Sequence, residues 1–272
     1  MALNNFISTV WSETLYSQMD KKYIAVANCN REFEGDIKNR GDRVKICGVG
    51  NINVFDYTKN EDFESAAQEL GDVVKTLIID QAKAFNFQID DIEKAQTNPK
   101  LMDAAVRNAA AALANVADQY VFSLCSKAGS NISATATVDN IIPLLIDART
   151  KLLKQNVCDP GDIVIEVSPE VSNLILKSKI NSSNEDTALE TGCIGNIAGC
   201  KVYVSNNILV EGNIHKCIAR SKRAIAFAEQ LSEMDAYRPE KRFADAVKGL
   251  HLYGAQVIYP SEMVRLDLTV SA

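Results

Sequence analysis

The amino-acid sequence predicts an α+β fold, in which one long helix and one extended hairpin accompany a mixed region of helices and strands. Apolar and polar residues alternate along residues 44–54 and again along 77–89, which is the period of a half-covered β-strand. An alanine-rich run over 98–128 has helical spacing, and helical and strand patterns alternate after residue 137. The 272 residues are 47% apolar and 24% charged, ordinary values for a globular protein with a sizeable core.

The N-terminal residues predict an arm that has little core of its own. A short amphipathic helix is expected within residues 4–20, where apolar side chains recur at helical spacing: Phe6, Val10, Trp11 and Leu15. Residues 23–37 have the composition of extended chain with polar turns. We therefore expect the arm to pack on another surface.

The next segment predicts a long hairpin. On the outgoing strand, Gly48 and Gly50 interrupt the alternation, which predicts a bulge or a sharp bend. On the returning strand, five apolar residues are expected on one face: Leu77, Ile79, Phe85, Phe87 and Ile89. The connection between the strands is too long for a tight turn, and connections of this length are usually functional or disordered.

The alanine-rich run predicts a helix over residues 98–128. Asn98 is a candidate N-cap, Pro99 suits the first turn, and Gly129 suits the position after the end. A helix of this length is a rod of ~45 Å. Its expected apolar stripe consists of Val106, Ala110, Leu113, Ala117, Tyr120 and Leu124, and Asp118 is expected to face solvent.

The remaining elements follow from local patterns. A helix is predicted after a cap at Thr137, with Pro143 either kinking it or delaying its start. Residues 163–167 predict a buried strand, and Ser168 then caps a helix whose first residue is Pro169. The chain after these elements predicts a glycine-punctuated strand around Val202 and Val204, followed by further strands up to the C-terminus.

Charge and targeting signals exclude several classes of function. A formal net charge of −6 and a pI near 5.1 do not fit a dedicated nucleic-acid reader, which carries a basic face. The N-terminus has neither the basic start nor the apolar run of a signal peptide. No stretch approaches the ~20 apolar residues of a membrane span. We therefore expect a soluble protein that stays in the compartment where it is made.

The cysteines predict free thiols in a reducing cytoplasm. They are odd in number and lack a CxxC pair: Cys29, Cys47, Cys125, Cys158, Cys193, Cys200 and Cys217. Structural zinc sites use ligand pairs two to four residues apart. The combination of Cys193, Cys200, His215 and Cys217 does not have that spacing, so no metal ligand is expected.

The sequence shows no recognisable catalytic motif. A GxSxG nucleophile elbow is absent, and the two histidines, His215 and His251, lie in apolar strand patterns that favour a structural role. The glycines Gly192, Gly195 and Gly199 have the wrong spacing for a dinucleotide-binding loop and precede a strand instead of a helix. We expect no catalytic residue and no cofactor, and we do not expect an enzyme.

The order of these features and the residues within them resemble the major capsid protein of tailed bacteriophages with the Hong Kong 97 fold. The stretch "FISTVWSETL" resembles the start of the family's N-terminal arm, and "REFEGDIKNRGDRVKI" leading to "VFDYTKN" resembles the beginning of its extended loop. The stretch "LIIDQAKAFNFQIDDIEKAQTNPKLMDAA" is similar to the return strand and the start of the spine helix. Later segments are similar to the axial domain and the return to the peripheral domain: "DARTKLLKQNV", "VSPEVSNLILKS", "GCIGNIAGCKVYVSNN" and "RPEKRFADAVKGLHLYGAQVI".

The resemblance covers nearly the whole chain and implies a division into four parts. These are an N-terminal arm at 1–36, an extended loop (E-loop) at 37–92, a peripheral domain at 93–136 and 225–272 that contains the spine helix, and an axial domain at 137–224. It implies a structural protein that assembles with itself into the pentamers and hexamers of an icosahedral shell around double-stranded DNA. The implied location is the virion, after assembly in the host bacterial cytoplasm.

The resemblance also implies partners. The E-loop is expected to contact a neighbouring copy through its apolar residues: Ile52, Val54, Phe55, Phe63 and Leu70. Such heterologous contacts close into rings. A separate scaffolding protein, a portal and packaged DNA that is contacted non-specifically are further expected partners, whereas a membrane is not.

Two family features are open in this chain, and two other functions stay possible. Some members carry a cleaved N-terminal scaffolding segment; here the arm begins almost at Met1, so either a separate scaffold exists or the chain is a trimmed form. Some members crosslink a loop lysine to an asparagine; Lys59 is the loop candidate, but no pattern identifies its partner.

The alternative functions are an encapsulin-type compartment shell of the same fold and a small α/β enzyme of unrecognised type.

Overall fold

A computed structural model describes residues 15, 18–19, 22–33, 41–49, 72–90, 100–155, 160–178, 193–240 and 243–270. Its α-helices are α1 (Lys100–Ser123), α2 (Ile141–Leu153) and α3 (Pro169–Lys177). Its strands are β1 (Arg43–Val49), β2 (Asp72–Ile78), β3 (Gln81–Asp90), β4 (Ser130–Ala136), β5 (Ile163–Val167), β6 (Cys193–Ile197), β7 (Cys200–Val204), β8 (Val210–Glu211), β9 (Ile214–Ser221), β10 (Ile225–Tyr237), β11 (Ala244–Val257) and β12 (Met263–Val270). The 3-10 turns are Val26–Asn28, Leu124–Lys127, Pro160–Asp162, Lys222–Ala224 and Pro260–Glu262.

The described strands form three sheets. Strands β1 and β2 make a two-stranded antiparallel ribbon, and β10, β11 and β3 make a three-stranded antiparallel sheet in that order. The third sheet has seven strands in the order β4–β12–β9–β5–β7–β6, with β8 paired to β9. Only the β12–β4 and β5–β7 pairs of this sheet are parallel. Helices packed with mostly antiparallel sheets are the α+β class that the sequence predicts.

The returning strand of the predicted hairpin is divided between two sheets. Strand β2 pairs with β1, whereas β3 pairs with β11. Leu77 is buried in the cluster under the ribbon, while Phe85 and Phe87 pack against the cluster that contains α1. The expectation that these residues share one face is therefore wrong, because the chain changes sheets between Ile78 and Gln81. Gly48 pairs with Val73 in an unbroken register, which excludes the predicted bulge at this residue, whereas the alternative of a sharp bend stays a prediction. Gly50 lies outside the described residues.

Helix α1 has the predicted apolar stripe. The buried members are Val106, Ala110, Leu113, Ala117 and Leu124, and Tyr120 is half-buried against them. The stripe packs on one face of the three-stranded sheet, where Phe227 and Tyr253 belong to the same cluster. The alternate residues of β10, Ala226 and Ala228, belong to the cluster under the ribbon. Because neighbouring residues of a strand point to opposite faces, α1 and the ribbon lie on opposite sides of this sheet.

Asp118 of α1 is buried, although the sequence predicts that it faces solvent. Only 1% of Asp118 is exposed, and its carboxylate accepts hydrogen bonds from the N-terminal arm. The apolar period of α1 shows the side that meets the sheet, but it does not show that the arm covers a neighbouring side. The expectation that Asp118 faces solvent is wrong for this reason.

The ends of two helices differ from the prediction. Helix α1 ends at Ser123 and continues as a 3-10 turn, and Gly129 does not adopt a positive φ. Gly129 instead donates its N–H to the carbonyl of Pro260 at 2.7 Å, and an added Cβ would lie 2.5 Å from that oxygen. Glycine is required there by close approach of two backbones. The proposed caps Asn98 and Pro99 lie outside the described residues.

Helix α2 begins later than its predicted cap. Its N-cap is Asn140, not Thr137, so Pro143 falls in the first turn and delays the start without kinking the helix. The residues before it form β4, whose small polar side chains gave no clear strand pattern. Strand β5 has all five residues buried, and Ser168 accepts a hydrogen bond from the N–H of Val171 with Pro169 at the first helical position. Those two predictions are confirmed.

The glycine-punctuated segment contains two strands. Strands β6 and β7 are joined by Ala198 and Gly199, whose φ values of 51° and 83° are both positive. Two central residues with positive φ are the requirement of a type I′ hairpin turn.

The N-terminal arm contributes Leu15 and Met19, which are helical and buried in the α1 cluster, while Phe6, Val10 and Trp11 lie outside the described residues.

Candidate assembly site

The ribbon of β1 and β2 leads to the predicted contact residues. Its register runs without a shift from Arg43↔Ile78 at the base to Val49↔Asp72 at the far end. The five predicted contact residues and Lys59 all fall within 50–71, which lies outside the described residues. The contact prediction therefore stays a prediction, and the structure describes how the base of the loop is held.

The base of the ribbon is fixed to its own subunit. The Gly41 N–H donates to the carbonyl of Ile79 at 2.8 Å, and the Ile79 N–H donates to the carbonyl of Asp42 at 3.1 Å. The ammonium group of Lys75 also donates to the carbonyl of Ile258. The buried cluster beneath consists of Val44, Ile46, Leu77, Ile79, Ala226, Ala228, Leu252 and Ile258. This packing holds the base of the ribbon on the three-stranded sheet.

One glycine permits the ribbon to lie close to the three-stranded sheet. Gly254 of β11 faces the backbone at Ile78, and a Cβ at this position would overlap the Ile78 carbonyl oxygen. Gly249, further along β11, faces the aromatic ring of Phe85 instead. The backbone of the loop base therefore approaches β11 more closely than any residue with a side chain would allow.

Exposed apolar side chains occur elsewhere on the described surface. The most exposed is Phe243, at 83%, next to the β10–β11 turn. A second group, Leu209, Val210 and Ile214, lies on the β8–β9 hairpin. Scattered exposed apolar residues are normal, but three on one hairpin form a small apolar surface. Sequence reasoning missed this hairpin, although the "NNILVEGNI" stretch has Asn-Asn and Glu-Gly turn signals on either side of an apolar run.

A buried ion pair lies where the arm meets the seven-stranded sheet. Arg220 of β9 donates to Glu166 of β5 through two nitrogens, at 2.9 and 3.0 Å, and both side chains are fully buried. The same guanidinium donates to the carbonyls of Asn28 and Ala25 in the arm, at 2.7 and 2.9 Å. Opposite charge and saturated hydrogen bonding are what make a buried guanidinium tolerable.

A second polar group joins the arm to the three-stranded sheet. Glu229 of β10 is buried and accepts hydrogen bonds from the Tyr23 hydroxyl at 2.5 Å and from Arg31 at 2.8 Å. The Nε2 atom of His251 lies 2.8 Å from the same carboxylate. His251 and His215 both lie in strands, as predicted. His251 is only 1% exposed, which suits a structural partner of Glu229.

The thiols of the described residues are not poised for nucleophilic chemistry. Cys29, Cys125, Cys200 and Cys217 are free and buried. Burial raises the pKa of the Cys29 thiol to about 11 and that of the Cys217 thiol to about 12. Within the described residues, no three His, Cys, Asp or Glu side chains lie close enough to hold a metal ion. In the same part of the chain, no helix is long and apolar enough to cross a membrane.

Comparison with known proteins gives both a family and a fold. A family model described as "Phage capsid protein" matches residues 74–266, well over half of the chain. A solved chain from Mycobacterium phage Che8 is 28% identical with a TM-score of 0.70, and the alignment covers 90% of each chain. No curated protein sequence matches this chain.

Two further solved structures are similar in fold alone, because their sequence identities are low. The capsid of Ralstonia phage GP4 is 11% identical with a TM-score of 0.71, over 93% of this chain and 91% of that chain. A virus-like particle from Pyrococcus furiosus is 12% identical with a TM-score of 0.58, over 96% and 99% of the two chains. The arrangement of arm, ribbon, long helix and two larger sheets agrees with these matches. The chain therefore belongs to the phage capsid protein family and is a major capsid protein of the Hong Kong 97 fold, a structural subunit whose copies assemble into the virion shell.

Proposed function

We propose that the subunits of this shell are joined through the extended loop of residues 37–92, with Ile52, Val54, Phe55, Phe63 and Leu70 packed on a neighbouring copy. The observation that supports this is the anchoring of the described base of the loop in its own subunit. The described apolar contacts of the ribbon with its own subunit are those of Val44, Ile46 and Leu77 near the base. The apolar residues beyond the ribbon need a surface to cover them.

The geometry of the ribbon supports a contact with another subunit. A two-stranded ribbon is marginally stable alone, so its far end gains stability from a partner surface. Burying one phenylalanine contributes about 1.5–3 kcal/mol, so five apolar side chains can supply much of the association free energy of one contact. A contact between different surfaces of two copies closes into rings, which suits pentamers and hexamers of an icosahedral shell.

The sheets support a revised division of the chain. Strands β4 and β12 pair with each other, and β12 pairs with β9, so both belong to the seven-stranded sheet. The axial domain is then 137–224 together with 130–136 and 263–270. The remainder of the peripheral domain consists of α1 with β10 and β11, to which β3 of the extended loop is paired, and residues 1–36 remain the arm.

Family membership supports the finer parts of the proposed function. The shell encloses double-stranded DNA, which the subunit contacts non-specifically, since its formal net charge of −6 does not suit strong nucleic-acid binding. A separate scaffolding protein and a portal take part in assembly in the host bacterial cytoplasm. The subunit acts as a structural protein without enzymatic activity.

The compartment alternative has less support. The family model describes phage capsid proteins, whereas the virus-like particle from Pyrococcus furiosus shares 12% identity, which speaks for the fold alone. Particles isolated from induced or infected cells distinguish the two. Nuclease-protected double-stranded DNA supports the phage shell, and particles that hold only protein cargo support the compartment.

The loop contact is tested by shortening the loop at the paired end of the ribbon. Residues 50–71 are replaced by Asn-Gly, a two-residue turn that can join the opposed residues Val49 and Asp72. The base cluster is untouched, so we expect native-like circular dichroism and a cooperative melt. Sedimentation is expected to show only monomers and small oligomers, and electron microscopy no closed shells.

A pair of point variants controls for the length of the deletion. Phe63→Ser removes a proposed contact and is expected to reduce shell yield, whereas Thr58→Ala changes a polar residue of the same loop and is expected to retain it. Closed shells from the shortened protein would overturn the proposed contact. A shortened protein that does not fold would place the loop in the core of the subunit and overturn it equally.

A further inference from the structure

Two connecting segments carry the chain between the two larger sheets, and they lie side by side. Residues 221–224 lead from β9 to β10, and residues 258–262 lead from β11 to β12. The pairing of β9 with β12 ends at Met263, and the pairing of β10 with β11 begins at Ile225. We call these two segments the crossover. It is a place where the orientation of one sheet relative to the other can be fixed.

Backbone hydrogen bonds tie the crossover to the three-stranded sheet and to the connection that follows α1. The Ala224 carbonyl accepts the Ile258 N–H at 2.8 Å and the Tyr259 N–H at 3.2 Å, directly beyond the last pair of β10 and β11. The Pro260 carbonyl accepts the N–H of Gly129, the residue before β4. The third connection between the two halves of the subunit therefore also meets the crossover.

The side chain of Glu262 joins one segment of the crossover to the other. Glu262 is only 4% exposed, and its carboxylate accepts the Ser221 hydroxyl at 2.5 Å and the Nε–H of Arg223 at 2.8 Å. A second nitrogen of the same guanidinium donates to the other carboxylate oxygen. Such a bidentate pair restricts direction as well as distance. Burial acts to raise the pKa of Glu262, but the hydrogen bonds from Arg223 and Ser221 outweigh burial and hold the pKa below its ordinary value.

Arg223 extends this connection towards the three-stranded sheet. Its guanidinium carbon lies 5.2 Å from the centroid of the Tyr259 ring, within the range of a cation–π contact. The N–H of Tyr259 is bonded to Ala224, next to the first residue of β10. A continuous series of contacts therefore runs from Ser221, at the end of β9, through Glu262 and Arg223 to the end of the three-stranded sheet.

Other contacts between the two larger sheets are less directional or less direct. The cluster around α1 contains Ile218 of β9 and Phe227 of β10, so apolar packing also joins the sheets, but such packing is non-directional. The arm contacts both sheets at Arg220 and Glu229, through a separate segment of the chain. Glu262 acts within the connection itself.

We propose that Glu262 is a positioning residue for shell assembly. By holding residues 221–224 against residues 258–262 it fixes the angle between the two larger sheets, and this angle sets the curvature at which copies of the subunit join. The proposal uses the assembly of this chain into a shell and does not depend on the proposed loop contact.

The link between this angle and shell curvature is geometric. Every copy in the shell has the same shape, and contacts between different surfaces of two copies close only when the rotation between neighbours is correct. A small change of angle within the subunit is repeated at every contact and therefore adds up around the shell. A change of stability alone leaves the shape of the folded subunit as it was. Shell diameter thus reports on the angle.

Electron microscopy of two full-length variants tests the proposal, under conditions in which the parent forms closed shells. Glu262→Gln keeps the size of the side chain and removes its charge. Arg223→Met removes the guanidinium from a side chain that is 41% exposed. We expect both subunits to retain the circular dichroism of the parent and a cooperative melt. Their particles are expected to show a distribution of diameters at least ~twofold wider than that of the parent, or open and tubular forms.

Two further variants separate orientation from stability and from charge. Val202 of β7 is fully buried in the cluster of the seven-stranded sheet, so Val202→Ala lowers stability without touching the crossover. It is expected to lower the melting temperature and to give shells of the parent diameter. Arg223→Lys keeps the positive charge but loses the bidentate geometry, so we expect a width between those of the parent and Arg223→Met.

Each outcome decides for or against the proposal. Parent diameters in both Glu262→Gln and Arg223→Met overturn it. Equal widening or equal loss of shells in Val202→Ala also overturns it, because lower stability then explains every variant. Folded Glu262→Gln or Arg223→Met subunits that form no closed shells support it while Val202→Ala still assembles. If Glu262→Gln does not fold, Arg223→Met decides; if neither folds, the pair serves folding and the proposal is overturned.

Discussion

Arg220 is the largest fully buried side chain among the described residues, and its charge is balanced entirely within the protein. Its partner Glu166 is the fourth of the five residues of β5, and the other four are apolar. The strand pattern predicts burial of position 166, and a buried carboxylate requires a cation and hydrogen-bond donors. The sequence does not show which cation, because Arg220 is 54 residues away along the chain.

The first prediction concerns this ion pair. Arg220→Leu leaves Glu166 buried without a cation and removes the donor to the arm carbonyls, so we expect the free energy of unfolding to fall by ~3–5 kcal/mol. The double variant Glu166→Leu with Arg220→Leu leaves no buried charge and is expected to lose less than Arg220→Leu alone. Urea denaturation of both variants measures the difference.

An exposed ion pair provides the control. Lys248 and Asp235 lie 3.5 Å apart with side chains 56% and 58% exposed. Lys248→Met is expected to change the free energy of unfolding by no more than ~1 kcal/mol. If Arg220→Leu lowers the free energy of unfolding no more than Lys248→Met does, the buried pair does not hold the arm on the seven-stranded sheet.

At the scale of the element, α1 depends on small residues along one side. Ala110, Ala114 and Ala117 are fully buried between the helix and its neighbours. Ala117→Glu places a charge and extra volume in this contact, so we expect little soluble protein and a strongly lowered melting temperature. Ala112→Glu adds the same side chain at an exposed position of the same helix and is expected to melt like the parent. Equal behaviour of the two variants would contradict the assigned buried face.

Strand β11 contains two glycines whose replacement should have unequal effects. Gly254→Ala meets the backbone at Ile78, which cannot move without shifting the ribbon base, so we expect a loss of ~1–3 kcal/mol or more. Gly249→Ala meets the ring of Phe85, a side chain that can turn aside, and a smaller loss is expected. Thermal melts of both variants give the comparison, and equal losses would show that the ribbon base is not tightly seated on β11.

At the scale of the whole molecule, the cysteines are distributed over both larger clusters. Cys29 and Cys125 belong to the cluster around α1, while Cys200 and Cys217 belong to the cluster of the seven-stranded sheet. All four are buried, and burial raises the pKa of each thiol above its ordinary value. Both features oppose formation of the reactive thiolate.

The thiol prediction follows from this burial. With an alkylating reagent at pH 8 under non-reducing conditions, these four cysteines should stay unmodified while the protein is folded. After unfolding, mass measurement should find all seven cysteines of the chain labelled. Two or more cysteines that resist labelling in the unfolded protein would indicate a disulfide and contradict the free-thiol assignment.

The sequence by itself determined the features that depend on neighbours along the chain. The buried stripe of α1, the fully buried strand β5 and the Ser168 cap were predictable, because helical period, apolar runs and capping involve residues within a few positions of one another. The order of these elements, with the residues in them, also made the family recognisable. These predictions required no knowledge of which strands pair.

Only the tertiary structure decided the features that depend on distant residues. The chain changes sheets between β2 and β3 because β2 pairs with β1 and β3 pairs with β11. In both pairs the two strands lie far apart in the sequence. The local sequence predicts that Asp118 faces solvent, but in the structure the arm covers it. The local sequence likewise predicts a helix end at Gly129, but the glycine is required by the close approach of Pro260. In each case the deciding partner is separated by tens of residues or more, and local periodicity contains no information about contacts made at that range.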